Sequence, residues 1–586
     1  MSHESSTEES EIDDGEPRTD DSEPETAVGR RPYLGLLGAA AASFAGCMDG
    51  ESDDRSNPTG TPTDDVGTTE TPSMKERFGT HRGIQFDRVL DAVEDLGLDP
   101  SGEEPVEEAL AEALTVPGTL ILFPEGQYRF AASMNLTAER VGLLGTGDVS
   151  FVPEPGFGSL LLDGQTERLD DVLIENVDVD IRAPDTTAGI RLNCRNRFHV
   201  EDVEFLGRGR IDNSGQVSAF LFAIRSDDGR GVLRNAVAKK GSRIDGYEGG
   251  NGRIGVWVGW SNKGTVRIEG CDFREFGNNG TYTSRTPGQV EIVDSYFLNN
   301  NAASVRIGGE GSYVENCTVE IDMEKYTGPV PDTLTEFNTR GIVVEQGLAK
   351  PGPSLPAGAE IRGCTLHARR SPRSQAVIEQ SPQARSLLVR DTEIQCDIDG
   401  TPAIRRGPPG SIPYRPDQQQ PPKPHWTRLR NVTIGGSAAG GAAVDLRLAP
   451  ESRVVDCEIV ANGADRDGIL LDLSPMSKIL ASEIRTDGHP VVVTVDPTNS
   501  PERHLLCLSL ETVLERFGDD GVAGILTSEL PLFQMLTRNS RTDTVCLGLA
   551  PDVLTLPIVE SVTGRLRISI DALEDGVPVG QLLNGQ

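Results

Sequence analysis

Ile292-Val293-Asp294-Ser295-Tyr296-Phe297 is followed 22 residues later by Val314-Glu315-Asn316-Cys317-Thr318-Val319. Both hexads put apolar residues at positions one and six, a bend-forming residue at three and a small residue at four. The unit recurs at Ile174–Val179, Val200–Phe205, Leu233–Ala238, Ile268–Phe273, Ile361–Leu366, Val389–Ile394, Leu429–Ile434, Val454–Ile459 and Ile479–Ile484, eleven copies in all. Positions four and six share one face of a strand, so both point inward. Position one is also apolar, which requires a bend between one and four. The Asn, Asp and Gly that dominate position three tolerate left-handed backbone angles. From copy to copy position three advances by 26, 33, 35, 24, 22, 47, 28, 40, 25 and 25 residues. The short steps match one coil of a three-stranded solenoid; the long ones imply inserted loops or, for 47, a skipped coil. A chain of 586 residues is too long for one compact core unless it grows in one dimension. The pattern therefore predicts an all-β parallel β-helix. A sandwich or propeller would carry regular turn and aromatic markers that are absent here.

The stack has a readable entry. Glu103–Leu114 carries Val106, Ala109, Leu110, Ala113 and Leu114 at helical spacing. Gly118–Tyr128 then reads as a buried strand, a Pro124–Gly126 turn and a second strand. Val93-Glu94-Asp95-Leu96-Gly97, the helix and Phe123-Pro124-Glu125-Gly126-Gln127-Tyr128 together resemble the opening of pectin-lyase-like β-helix proteins. The resemblance implies a right-handed coil, a helix plugging its N-terminal end and an extended 92–97. It covers about 90–165 by motif and reaches about 484 by repeat pattern. We expect an N-terminal cap at 79–117, the β-helix over 79–490, and a C-terminal cap of unassigned fold at 491–586. That last segment has a helix candidate at Leu510–Phe517.

The formal charge is −36, from 91 acidic and 55 basic residues, of which only eight are lysine. Such a surface opposes nucleic acid and anionic membranes. Acidic, lysine-poor composition resembles that of high-salt proteins, in which charge is screened. The nine cysteines contain no CxxC pair, so a zinc ribbon or thioredoxin-like site is not expected. Cys271, Cys317, Cys364 and Cys457 occupy position four and are read as free, buried thiols acting as small apolar residues. Cys317→Ser is expected to cost about 1–3 kcal/mol by burying a poorly paired hydroxyl.

The first 29 residues are acidic and polar. Arg30-Arg31 then precedes an apolar stretch of about 14 residues, too short to span a bilayer. The paired arginines resemble a twin-arginine export signal. Phe44-Ala45-Gly46-Cys47 resembles a lipobox, which implies cleavage before a lipidated Cys47. The whole N-terminal region resembles exported lipoproteins of haloarchaeal type. Residues 1–47 are thus read as head plus signal, and 48–78 as a flexible tether. These expectations put the protein at the cell surface, meeting the membrane only through its lipid. Monomer and homo-oligomer stay equally open.

Three regions are candidate sites. Arg285, Arg306, Arg340 and Glu310 lie beside glycine- and asparagine-rich turns on neighbouring coils, where a groove could gather the arginines. Asp227-Asp228 sits in a probable turn; the family resemblance implies an acid–base aspartate pair in hydrolases and Ca²⁺-binding aspartates in lyases. The chain has no Gly-His-Gly or Arg-Ile-Lys landmark of those hydrolases. Asp227, Asp228 and Glu310 are therefore the catalytic candidates, with no metal or other cofactor expected unless the protein is a lyase. Segment 361–430 holds 12 basic and six acidic residues, including Arg369, Arg370, Arg405 and Arg406. Guanidinium groups make bidentate contacts with carboxylate and sulfate, so the expected partner is an acidic polysaccharide. A lyase or glycoside hydrolase, and a structural envelope protein without small ligand, are the alternatives.

Overall fold

All eleven position-three residues adopt left-handed angles, with φ between 46° and 65°. Positions one, four and six of every copy are buried. The bend required by the sequence pattern is therefore present in each coil, and the coils stack in register. Asn176 pairs across from Asp202, and Asn235 Nδ2 donates to Asp202 Oδ1 of the preceding coil at 3.0 Å. Asn431 Nδ2 does the same to Asp391 Oδ1 at 2.8 Å. Both glycines at position three, Gly270 and Gly363, follow a coil that carries an asparagine there. A Cβ on Gly270 would lie 2.7 Å from Asn235 Oδ1, and one on Gly363 would lie 2.5 Å from Asn316 Oδ1.

The structure, a computed structural model, describes residues 74–210, 218–245, 247, 252–345, 358–410 and 421–495, with the backbones of strands His504–Ser509, Thr537–Asn539, Thr544–Leu549, Glu560–Val562 and Arg565–Ser569. It is a right-handed parallel β-helix. One wall is a sheet of fifteen described strands, running from Met134–Asn135 to the terminal pair Arg565–Ser569 and Glu560–Val562. The hexads supply the other two faces, joined at the position-three bend. The 47-residue step skips no coil, because Ser312–Glu315 pairs directly with Ala359–Arg362. Its described insertion carries two short 3₁₀ turns, Met323–Lys325 and Leu334–Glu336. Val491–Val495 extends the parallel sheet beyond residue 490 and then meets Arg565–Ser569 antiparallel.

Two local readings change. The helix is shorter than its apolar stripe, Glu107–Ala113, because Ser101–Pro105 pairs as a strand with 126–130. Residues 92–97 form a turn rather than an extended segment, closed by Asp95 N–H to Asp91 O and Gly97 N–H to Val93 O. The Leu510–Phe517 helix candidate lies outside the described residues. The weakest hexad, with Ala238 at position six, also has a physical account. Phe220 from the fifteen-stranded sheet packs between Phe205 at 5.3 Å and Phe273 at 6.3 Å, where a larger position-six side chain would otherwise sit.

The position-four column is buried and thiol-rich. Cys271, Cys317, Cys364 and Cys457 are free and buried, as are Cys194 and Cys396. Burial pushes the Cys271 thiol to about 12 and that of Cys457 to about 11. The hydroxyls in the same column are well paired, contrary to the sequence expectation. Ser295 Oγ donates to Val293 O at 2.8 Å and accepts from Cys271 N–H; Ser482 does likewise with Leu480 and Cys457. Cys317 Sγ already points at the equivalent carbonyl, Glu315 O, at 3.3 Å. A serine there inherits that acceptor, so Cys317→Ser should cost under about 1 kcal/mol. Urea unfolding checks this; a loss near 3 kcal/mol would mean that the hydroxyl is not accommodated.

Ahead of the first coil, Thr80–His81 and Ile84–Gln85 form a hairpin turned by Arg82 and Gly83. Ile84 and Phe86 bury against Leu120, Leu122, Leu144 and Leu173 on the outside of the coil. His81 Nε2 lies 2.8 Å from Glu175 Oε2, and Arg82 bonds Glu175 and reaches Glu201 at 3.1 Å. Burial raises the Glu175 carboxyl, but hydrogen bonds from His81 and Arg82 outweigh it and hold it at about 2. Its folded pKa is thus depressed, so the stability it contributes is present above about pH 4.5 and lost as pH falls toward about 2. The shift corresponds to roughly 3 kcal/mol. Limited proteolysis of the 74–90 segment should accelerate over that window in the wild type. Glu175→Gln should already be susceptible at pH 6; a wild-type clamp intact at pH 2 would contradict this account.

Candidate functional site

The outward side chains of the fifteen-stranded sheet fall into a register column because its strands up to Val491–Val495 are parallel. Trp257, Tyr282, Arg306, Val343, Glu379 and Arg405 are consecutive partners. At about 4.8 Å per strand the column spans roughly 24 Å. It is not an open groove throughout: Arg306, Val343 and Glu379 are buried. The contiguous arginine row expected from the sequence is interrupted there.

The part before Val343 holds aromatic and cationic groups. Arg285 and Arg306 converge on Tyr282, their guanidinium carbons 5.0 and 4.5 Å from the ring centroid. Trp257 lies one strand before Tyr282, half-buried, and Trp260 is exposed in the turn that follows. Glu345 sits beneath. Its carboxylate accepts from Arg306 Nη2 at 2.6 Å and from Ser284 Oγ at 3.0 Å. Burial raises the Glu345 carboxyl, yet Arg306 first and Arg285 second outweigh this and hold it below its ordinary range. Among the described residues, two cations face this one carboxylate. Arg285 is the less buried of the two arginines: its buried Nε has no acceptor, and it makes no ion pair among the described residues.

The remaining predicted residues separate. Arg340 Nη1 is paired with Glu379 at 2.6 Å, and its Nε donates to Ala302 O. Arg405 lies on the outward column with its Nε unpartnered. Arg406 points the other way, fully buried inside the coil, and is not a surface contact. Arg369 and Arg370 line a cleft of about 770 Å³ with Tyr326, Phe337, Arg373 and Asp397. Arg370 there is bound to Asp322 and Glu324. With Glu324, Asp397 and Asp399 facing Arg369, Arg370 and Arg373, the cleft is balanced in charge. The basic excess of 361–430 is largely neutralised within the protein: Arg362 pairs Glu315 and Glu360, and Arg390 pairs Glu360 and Asp391.

The catalytic candidates do not meet. Asp227 and Asp228 are exposed in the turn before Arg230–Arg234, and Glu310 is exposed in the turn before Ser312–Glu315. Those turns are three coils apart, roughly 14 Å along the axis. A glycosidase pair works at about 5–9.5 Å. The asparagines of the first region are structural. Asn299, Asn300 and Asn301 are buried and donate to Asp322 O, Phe273 O and Glu336 O.

Sequence reasoning missed Trp257, Trp260 and Glu345. The signal for the first two was present: the chain has three tryptophans, and two of them lie within Val256–Trp260. Glu345 carried no local signal, since only the register brings it beneath Arg306.

No protein-family model matches this chain, and no curated protein does. Among solved structures, the chain is similar to PfbA, a surface adhesin of Streptococcus pneumoniae (13% identity over 69% of this chain and 94% of that one, TM-score 0.41). It is also similar to the A-module of the mannuronan C-5 epimerase AlgE4 of Azotobacter vinelandii (12%, 69% and 97%, TM-score 0.35). A third is the catalytic unit of a GH87 α-1,3-glucanase from Streptomyces thermodiastaticus (12%, 69% and 65%, TM-score 0.33). Likenesses of this size transfer no activity.

Proposed function

We propose that this protein binds an acidic polysaccharide through the patch around Arg285. It does so at the outer surface of the cell, exported by the twin-arginine-like segment and held by a lipid on Cys47. The stretch from residue 48 tethers the folded body, which begins at the short helix Met74–Phe78; the signal and the rest of that stretch lie outside the described residues. The observation that carries the reading is Arg285 itself. It is a guanidinium 5.0 Å from the Tyr282 ring centroid, its buried Nε without an acceptor, one strand on from the half-buried Trp257. A sugar ring has an apolar C–H face that suits an indole or phenol surface, and a uronate or sulfate supplies the missing acceptor. The protein's charge of −36 repels polyanions at long range. Short-range contact must therefore supply the affinity, and it persists in salt where long-range attraction does not. The separation of the candidate carboxylates favours binding without turnover.

Titration calorimetry in high salt against polyuronate, sulfated and neutral glycans tests this. Wild type should bind an acidic glycan, and Arg285→Gln should weaken it about 10–100-fold, as expected for losing a charge-assisted hydrogen bond, without lowering the unfolding midpoint. Binding of no acidic glycan would favour the structural envelope reading. Unsaturated products or new reducing ends in the same incubations would instead establish an enzyme.

A further inference from the structure

The interior column beside the outward one is apolar except at two coils. Ile307, Val344, Gln380, Arg406, Leu446 and Leu471 are consecutive register partners pointing into the coil. Gln380 is satisfied: its Nε2 donates to Arg385 O at 2.7 Å and its Oε1 accepts from Thr427 Oγ1 at 2.5 Å. Arg406 is not. It is 0% exposed, and its single hydrogen bond runs from Nη1 to Ser381 O. Its Nε and Nη2 are both buried without an acceptor; no other described side chain has two such atoms.

Two other fully buried arginines provide the contrast. Arg253 donates to Gly241 O and Ala188 O and lies 4.9 Å from the Phe205 ring centroid. Arg466 donates to Gly440 O and Thr401 O. Each spends its guanidinium on two backbone carbonyls. The charges acting on the nearby His425 are of one sign. Burial holds the imidazole below its ordinary range, and Arg406, Lys423 and Arg385 push it further in the same direction. Burial alone pulls Arg406 down to about 9, so the group stays charged at neutral pH. An uncompensated buried cation costs several kcal/mol, which a counter-ion removes.

We infer that the coil interior at Arg406 holds a small monovalent inorganic anion, chloride in a saline medium, against the Nε and Nη2 groups. The ligand is small because the guanidinium has no solvent exposure, so the ion is enclosed as the coil closes; a sugar acid cannot reach it. The charge is single because one guanidinium is left uncompensated. The site is independent of the outer patch and of any glycan.

The test compares thermal unfolding at constant ionic strength in sodium chloride, sodium bromide and sodium gluconate. An ion bound only by the folded state raises the midpoint with its concentration. Wild type should gain a halide-specific rise, and Arg406→Met should lose it. Crystals of the wild type grown in bromide should give an anomalous peak within about 3.5 Å of the guanidinium nitrogens, an arm that stands even where Arg406→Met fails to fold. No halide-specific shift, an equal shift in Arg406→Met, or a water without anomalous signal at Arg406 would each overturn the inference.

Discussion

The left-handed bend at position three is the constraint on which the rest of this molecule depends. An ordinary residue there costs about 1–2 kcal/mol, which explains the restriction to Asn, Asp and Gly in ten of eleven copies. The bend lets positions one, four and six all face inward although they do not alternate. Its amides also bond from coil to coil, as Asn235 does to Asp202. Ala481, at φ 46°, is the exception, and it falls in the last copy.

Once the bend fixes the register, every other feature becomes a column. Inside, position four gives a line of thiols and hydroxyls that share one kind of carbonyl acceptor. Outside, the parallel sheet lines up Trp257, Tyr282 and Arg306, and the turn after Tyr282 folds Arg285 back over the ring. One strand set therefore produces a packed core on one face and a cationic aromatic patch on the other. The columns also decide what is not a site: Val343 and Glu379 close the row, and Arg340 is occupied by Glu379.

The repeat was legible because it rests on local rules: inward positions, bend formers and small residues. Phe220 filling the space beside Ala238 was not legible, since it needs the third strand of the coil in register. The site was half legible. Arg285 and Arg306 could be singled out beside their turns, but residue type says nothing of the direction a side chain takes. Arg405 and Arg406 are chain neighbours on one strand, and the period of two sends one outward and the other into the core. Net charge over 361–430 misled for a similar reason. The carboxylates that neutralise it, Glu315, Asp322, Glu324 and Glu360, lie outside that window in sequence and on adjoining coils in space.

The central functional claim is that one face of the solenoid, at Trp257, Tyr282 and Arg285, receives an acidic glycan. Backbone hydrogen exchange with and without a polyuronate oligomer reads that face directly. The account predicts slowed exchange confined to 256–260, 279–285 and 303–307. Protection centred on the 226–229 turn or on the cleft at 369–374, with none at 279–285, would contradict it.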